Sequence, residues 1–286
     1  MMIKQIKHAI LDTDFVSKAN IFRKDERTLG DEVLDFPDYQ FFCHAKMVQE
    51  LSDHGSLEAA IWLKQKIECG KIACFSDEAI IQELQNCIAE QCYFYYLSFL
   101  KEGCDLFDSR FYHIHFSSLE EWLKQDPINR SVSFLDLLSE CEKEIGHRQN
   151  YGEIKAFVLS RTIQFLRDKT VVLFCSDDFG ARQGFANGAG IPCISIQSVF
   201  LKLRDIGKKK EEVEPYYQSL IRWYLGLPQP QYQVRVMKFS EGTWKRLQVP
   251  LSSVLTDIYD GRYSARKNGD LEEKRIPDKQ TDSVLL

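Results

Sequence analysis

Short apolar runs alternate with longer amphipathic stretches along this chain. His8-Ala9-Ile10-Leu11 stops at Asp12-Thr13-Asp14, and Tyr39-Gln40-Phe41-Phe42-Cys43 leads into a helical Met47-Val48-Gln49-Glu50-Leu51. Ile72-Ala73-Cys74-Phe75 lies between Gly70 and a Ser76-Asp77-Glu78 cap. Val171-Val172-Leu173-Phe174-Cys175 ends at Ser176-Asp177-Asp178, and Ile191-Pro192-Cys193-Ile194-Ser195-Ile196 follows a Gly-Ala-Gly turn. Each run is short, rich in β-branched or aromatic residues and apolar on both faces, as strands of a buried parallel sheet are. Pro192 points to an edge strand, where a missing N–H costs little. Helical periodicity covers 56–69, 77–101, 131–145, 153–168, 179–188 and 210–225. Alternating strands and helices predict an α/β fold, a parallel central sheet with helices on both faces.

Two departures from alternation set the domain organisation. Residues 77–150 contain no convincing strand and read as a helical insertion between the third and fourth strands. After the Pro228/Pro230 break, QYQVRVMKFS (231–240) and TWKRLQVPL (243–251) alternate apolar and polar positions, as a hairpin does. The sequence thus divides into a main domain over 1–226, a small C-terminal β-hairpin extension over 227–266, and a tail over 267–286. The tail is polar until its last residues and is expected to be disordered.

Composition narrows the function classes. No apolar run reaches the roughly 18 residues of a membrane span, and the N-terminal run leading into acids reads as a buried strand rather than a signal peptide. Nine cysteines without a CxxC or zinc-finger spacing suggest free thiols in a reducing cytoplasm. A formal net charge of −5 is unlike a protein that holds nucleic acid by bulk electrostatics. A nucleic-acid substrate would need a local basic patch or a cation that offsets the acids.

The candidate chemistry lies at strand ends, where open parallel sheets bind ligands. The first strand ends in Asp12 and Asp14, the second feeds a helix carrying Glu50, and the fourth ends in Asp177 and Asp178. Glu153 opens a further helix. Each acid alone is also a good helix cap. Converging together they repel, and a hard divalent cation with oxygen ligands relieves that repulsion. Mg²⁺ or Mn²⁺ is expected, serving attack of water on a phosphate.

The same residues carry a family resemblance. LDTDFVS (11–17) resembles the first motif of PIN-domain nucleases, a strand ending in Asp-Thr-Asn or Asp-Thr-Asp. MVQEL (47–51) is similar to the second, GEIKAFVLS (152–160) to the third and SDDFGARQGFANGAGIPCISI (176–196) to the fourth, in the family's order. The resemblance covers roughly residues 5–60 and 150–200; the helical insertion and C-terminal extension have no counterpart in it. It implies a metal-dependent endoribonuclease acting on RNA, with Asp12, Glu50, Glu153 and one of Asp177 or Asp178 around the metal. Asp14 and Ser176 would order those acids from behind, and the motif does not choose between Asp177 and Asp178.

Asp12-Thr13-Asp14-Phe15-Val16 also fits the DxDx(T/V) signature of haloacid-dehalogenase-type phosphatases. Asp12 would then be the nucleophile, Asp14 the general acid, Ser76 the phosphate-binding hydroxyl and Lys155 or Lys169 the phosphate-binding lysine. That reading leaves Glu50 and Glu153 idle. A third class, a non-catalytic RNA- or protein-binding module, leaves the whole acidic set idle.

For substrate contact the sequence offers Arg182, a helical turn past the Asp pair, and the basic stretch Lys202, Arg204, Lys208, Lys209 and Lys210. Arg235, Lys238, Lys245 and Arg246 on the hairpin suit RNA or a partner protein, and an inhibitor protein or self-association is compatible with the chain. Tyr93-Phe94-Tyr95-Tyr96 reads as helical core before it reads as a base-stacking platform. His113 and His115 read as a polar strand face, and Asp53-His54 as a helix end.

Overall fold

A computed structural model describes residues 6–53, 55–145, 150–167, 170–240 and 242–274. Five strands form one all-parallel sheet: β1 (Lys7–Leu11), β2 (Tyr39–His44), β3 (Ile72–Phe75), β4 (Val171–Cys175) and β5 (Cys193–Ile194), in spatial order β3-β2-β1-β4-β5. The register sets Lys7 against Tyr39 and Val171, and Leu11 against Cys175. Pro192 does precede an edge strand.

The five runs are apolar on both faces because each face has its own core. Ala9, Leu11, Phe41, Cys43, Leu173 and Cys175 point to one side, and Ile10, Phe42, Val172 and Phe174 to the other. The first side is covered by helices Thr13–Ile21, Ala45–Asp53, Leu57–Glu68, Ile196–Asp205 and Lys210–Leu225. The second is covered by helix Tyr151–Leu166 and by the insertion, whose described residues carry helices Asp77–Ile88, Cys92–Phe107, Phe111–His115, Ser117–Lys124 and Phe134–Ile145 and no strand.

Several expectations are corrected. The helix expected over 77–101 is two helices, broken at Ala89, whose φ is +49°. His113 and His115 sit in a short helix rather than on a strand, because the aromatic residues beside them pack inward at helical spacing. Tyr96 is fully buried, and Tyr93 packs on Trp122 and Phe134. The hairpin exists as β6 (Gln233–Ser240) and β7 (Thr243–Pro250), with Ser240 opposite Thr243. It is, however, half of a four-stranded mixed sheet completed by β8 (Tyr263–Ala265) and β9 (Leu271–Glu273).

The start of the expected tail is therefore structured, up to Lys274; residues 275–286 lie outside the described residues. Asn268-Gly269, which read as disorder by composition, is a tight turn with Gly269 at φ +78°. A Cβ at Gly269 would meet the Ser195 nitrogen at 2.9 Å, so only glycine lets this turn lie against β5. The Cys193 N–H donates to the Lys267 carbonyl (2.7 Å), and the Ser195 hydroxyl donates to that of Gly269 (2.6 Å). These partners lie some seventy residues upstream, beyond the reach of a compositional reading. The extension also shares the sheet's core through Val236, Val249, Val254, Leu255 and Ile258. Among the described residues no helix is long and apolar enough to cross a membrane.

Candidate active site

In the order β3-β2-β1-β4-β5 the connections run to one side from β1 and then cross to β4, so the topological switch falls between β1 and β4. The chain leaves β1 at Asp12 and β4 at Ser176. The Asp12 N–H donates to the Cys175 carbonyl (3.0 Å), which brings the two exits together. There the Ser176 hydroxyl donates to Asp12 Oδ2 at 2.8 Å and accepts from the Asp178 N–H at 3.1 Å. Ser176 thus locks the first acid to the strand carrying the last.

Glu50, on the helix after β2, accepts from the Thr13 hydroxyl at 2.8 Å. Its carboxylate lies directly over Gly152, where a Cβ would fall 2.8 Å from Oε1. The glycine of the Gly152-Glu153 pair therefore makes room for Glu50 beside Glu153. Asp14 and Asp177 are drawn together by Lys18, whose ammonium lies 2.9 Å from one carboxylate and 2.8 Å from the other. Asp177 also accepts from the Ile196 N–H (3.2 Å). Asp178 caps the helix Phe179–Gln183, accepting from the Ala181 N–H at 2.7 Å.

The electrostatics divide these acids. Burial, then the charge of Glu153, pushes Asp12 well above its ordinary range, although Ser176 pulls the other way. Burial raises Glu153 to about 7, with Glu50, Asp178 and Asp14 adding to it. Asp14 is raised by burial against the opposing pull of Lys18. Lys18 is itself raised, since the attraction of Asp177 and Asp14 exceeds the cost of its burial. Lys18 sits on Asp14 and Asp177, and the Arg182 guanidinium lies 3.8 Å from Asp177 as well, whereas Asp12 and Glu153 form no ion pair among the described residues.

All these donors are carboxylate or hydroxyl oxygens, the set a hard divalent cation takes. Among the described residues, no three His, Cys, Asp or Glu side chains stand together in a metal-ligand arrangement. Thr13 holds Glu50, and Lys18 holds Asp14 and Asp177. Mg²⁺ commonly binds one or two carboxylates and completes its shell with water and phosphate, a number that Asp12 and Glu153 would supply.

Asp12, Asp14, Glu50, Glu153, Ser176, Asp177 and Asp178, expected from sequence, share one end of the sheet. Of the expected substrate cations, Arg182 lies there too, 3.8 Å from Asp177, whereas Lys202 and Arg204 do not. Arg182 is buried, and its guanidinium donates to the carbonyls of Asn268 (2.9 Å) and Ser176 (3.2 Å) and to Asp270 (3.1 Å). It ties the C-terminal turn to β4 instead of reaching for phosphate. Lys202 and Arg204 lie toward the other end of the molecule, because helix Ile196–Asp205 runs back from the strand ends. Lys202 donates to the Tyr39 hydroxyl (2.9 Å) at the start of β2, and Arg204 pairs with Asp205 (2.7 Å). Lys208 pairs with Glu32 (2.9 Å).

The residues wanted for a phosphatase are also placed elsewhere. Ser76 caps the helix after β3, and Lys155 is buried against Asp77 (2.8 Å) and Glu142 (2.6 Å). Lys169 and His54 lie outside the described residues. Thr13, Lys18 and Gly152 were not singled out from sequence. The spacing of Asp14 and Lys18 is a helical i, i+4 pair and was legible; the contact of Lys18 with Asp177 was not. Compared with protein-family models, with curated proteins and with solved structures, the chain has no match.

Proposed function

We propose that this chain is a metal-dependent endoribonuclease of the PIN-domain type, cutting single-stranded RNA at the acids between β1 and β4. The observation that carries the reading is the pair of buried Asp12 and half-buried Glu153. Both are raised, first by burial and then by neighbouring carboxylates, at the switch point of a parallel sheet, and among the described residues neither has an ion-pair partner. A phosphatase of the DxDx(T/V) kind would call for a lysine at Asp12, and Lys155 is committed to Asp77 and Glu142.

Asp12 and Glu153 would hold the cation. Asp178, whose charge bears on Glu153, would stand next to them rather than Asp177, which Lys18 already neutralises. When bound, a divalent cation supplies positive charge against the phosphate oxygens and makes an attacking water more acidic. Ser176 keeps the Asp12 carboxylate in one orientation, and Thr13 does the same for Glu50. Without a cation Glu153 is raised to about 7, so binding of the cation would release its proton near neutral pH.

The test is hydrolysis of a labelled single-stranded RNA beside p-nitrophenyl phosphate, with Mn²⁺ and with EDTA, for the wild type and Glu153→Gln. RNA cleavage that needs metal and is lost in Glu153→Gln is the expected result. Phosphate release that survives the substitution, with RNA untouched, would overturn the nuclease in favour of the phosphatase.

A further inference from the structure

Beside the acids opens a cleft of about 700 Å³, floored by Asp177 and walled by the outer face of the β6–β7 hairpin. Its size falls within the roughly 300–1,000 Å³ of ligand pockets. Strand alternation sorts the four hairpin cations. Arg235 pairs across with Gln248, and Arg246 with Met237, so both arginines and Gln248 share one face; Lys238 and Lys245 share the other. The arginine face lines the cleft.

Three guanidiniums, of Arg182, Arg235 and Arg246, line the cleft, and the first and last share Asp270. Arg182 and Arg246 lie 3.1 and 3.8 Å from it. Arg235 is exposed and has no ion-pair partner among the described residues. Burial first, then the like charges of Arg235 and Arg182, lowers Arg246 from its ordinary value. Its guanidinium lies 3.6 Å from the ring centre of Phe179, which is itself 40% exposed. Both amide atoms of Gln197 and the Nε of Arg246 are buried without a hydrogen-bond partner among the described residues. Such atoms are costly unless something polar meets them. Tyr232, 68% exposed, stands at the rim.

We propose that this cleft holds one unpaired nucleotide of the RNA, next to the phosphate at the acids. Its own phosphate would lie on Arg235 and Arg246, its base against Tyr232, and its polar edge on the Gln197 amide. The proposal deepens the nuclease reading by naming where the strand is held, and it supplies the local positive patch that a chain of net charge −5 needs. Unpaired bases stack on aromatic rings with little regard to sequence, and a duplex, its bases already stacked, cannot enter.

The experiment is fluorescence anisotropy of a 5′-fluorescein single-stranded RNA on the full chain carrying Asp12→Asn, in Mg²⁺, across a salt series. Arg235→Glu and Tyr232→Ala should each weaken binding roughly tenfold, and Arg235→Glu should flatten the salt dependence. Lys245→Glu, the same charge change on the other hairpin face, should stay within about twofold, and the duplex of the same sequence should bind more weakly. Cleft variants that bind like their parent, or a Lys245→Glu as damaging as Arg235→Glu, would overturn the proposal. Cleavage by the chain with Asp12 intact separates the two readings. Cleft-dependent binding without cleavage keeps the cleft and sinks the nuclease, whereas cleavage with cleft-independent binding does the reverse.

Discussion

Glu153 and Lys155 stand two residues apart on one helix, the first half-buried and the second buried, each among other charges, and their surroundings are opposite. Lys155 is completely buried, yet it meets Asp77 at 2.8 Å and Glu142 at 2.6 Å. Tyr96 donates to Asp77, Tyr151 donates to Glu142 (2.6 Å), and His44 lies 3.4 Å from Asp77. The ammonium of Lys155, with the His44 ring beside it, holds Asp77 well below the ordinary carboxylate range despite its burial. Around Glu153 the balance reverses, and Asp12 and Glu153 are pushed upward. A buried charge is tolerable when fixed partners answer it. One cluster is closed by the chain's own cation; on the proposed function, the other would be closed by a cation from solution.

The largest effect should come from opening the closed cluster. Lys155→Met removes the cation but leaves Asp77 and Glu142, and breaking a buried pair from one side costs about 3–5 kcal/mol. Urea unfolding should show that loss, and added Mg²⁺ should not restore it. Restoration by Mg²⁺ would mean that the two clusters do not differ as argued. In the open cluster Asp12→Asn should act the other way. Activity should fall on the order of a hundredfold or more, while the melting temperature holds or rises because a repelling charge is gone. The Ser176 hydroxyl can still donate to the Asn oxygen. A variant that unfolds at ordinary temperature would assign Asp12 a structural role.

pH separates the clusters next. Glu153 has its folded pKa raised from 4.5 to about 7, so the folded state holds a proton that the unfolded state releases over that interval. Stability in EDTA should therefore be full below about 4.5 and decline as pH rises through 7, by up to about 3 kcal/mol from this group. Asp77 is lowered, so its contribution is present above its ordinary 3.8 and is lost as pH falls below that value. Denaturation in EDTA at pH 5 and pH 8 should show the decline, Mg²⁺ should oppose it at pH 8, and Glu153→Gln should flatten it. An equal decline in Glu153→Gln would place its source elsewhere.

What sequence could reach in this molecule follows from the range of the signal. The five strands were legible because a sheet with a core on each face writes unbroken apolar runs such as Val171–Cys175. The acids were legible because a parallel sheet delivers its strand ends to one edge. The charges that complete the picture were not. Arg182 looked free for phosphate until the turn at Asn268-Gly269-Asp270 was found upon it. Lys202 and Arg204 looked adjacent to the site because they follow β5 closely, but a helix of ten residues carries them away from the strand ends. Lys18 reaches Asp177 across 159 positions, a contact set by β1 and β4 lying side by side.

The smallest effect tests the space between the second and third acids. Gly152 lies in the first turn of helix Tyr151–Leu166. On the helix alone, Ala in its place would be neutral or favourable by up to about 1 kcal/mol. The added methyl would land on the Glu50 carboxylate, the far end of a flexible side chain, so Glu50 would swing away and release the Thr13 hydroxyl. Gly152→Ala should thus leave thermal stability unchanged or slightly raised while RNA cleavage drops about tenfold, the scale of a modest misplacement of a positioning group. Thr13→Val should lower cleavage in the same direction, since it frees the same carboxylate without touching the helix. If Gly152→Ala instead loses stability and keeps its activity, the glycine serves packing, and Glu50 belongs with the structural acids rather than with Asp12 and Glu153.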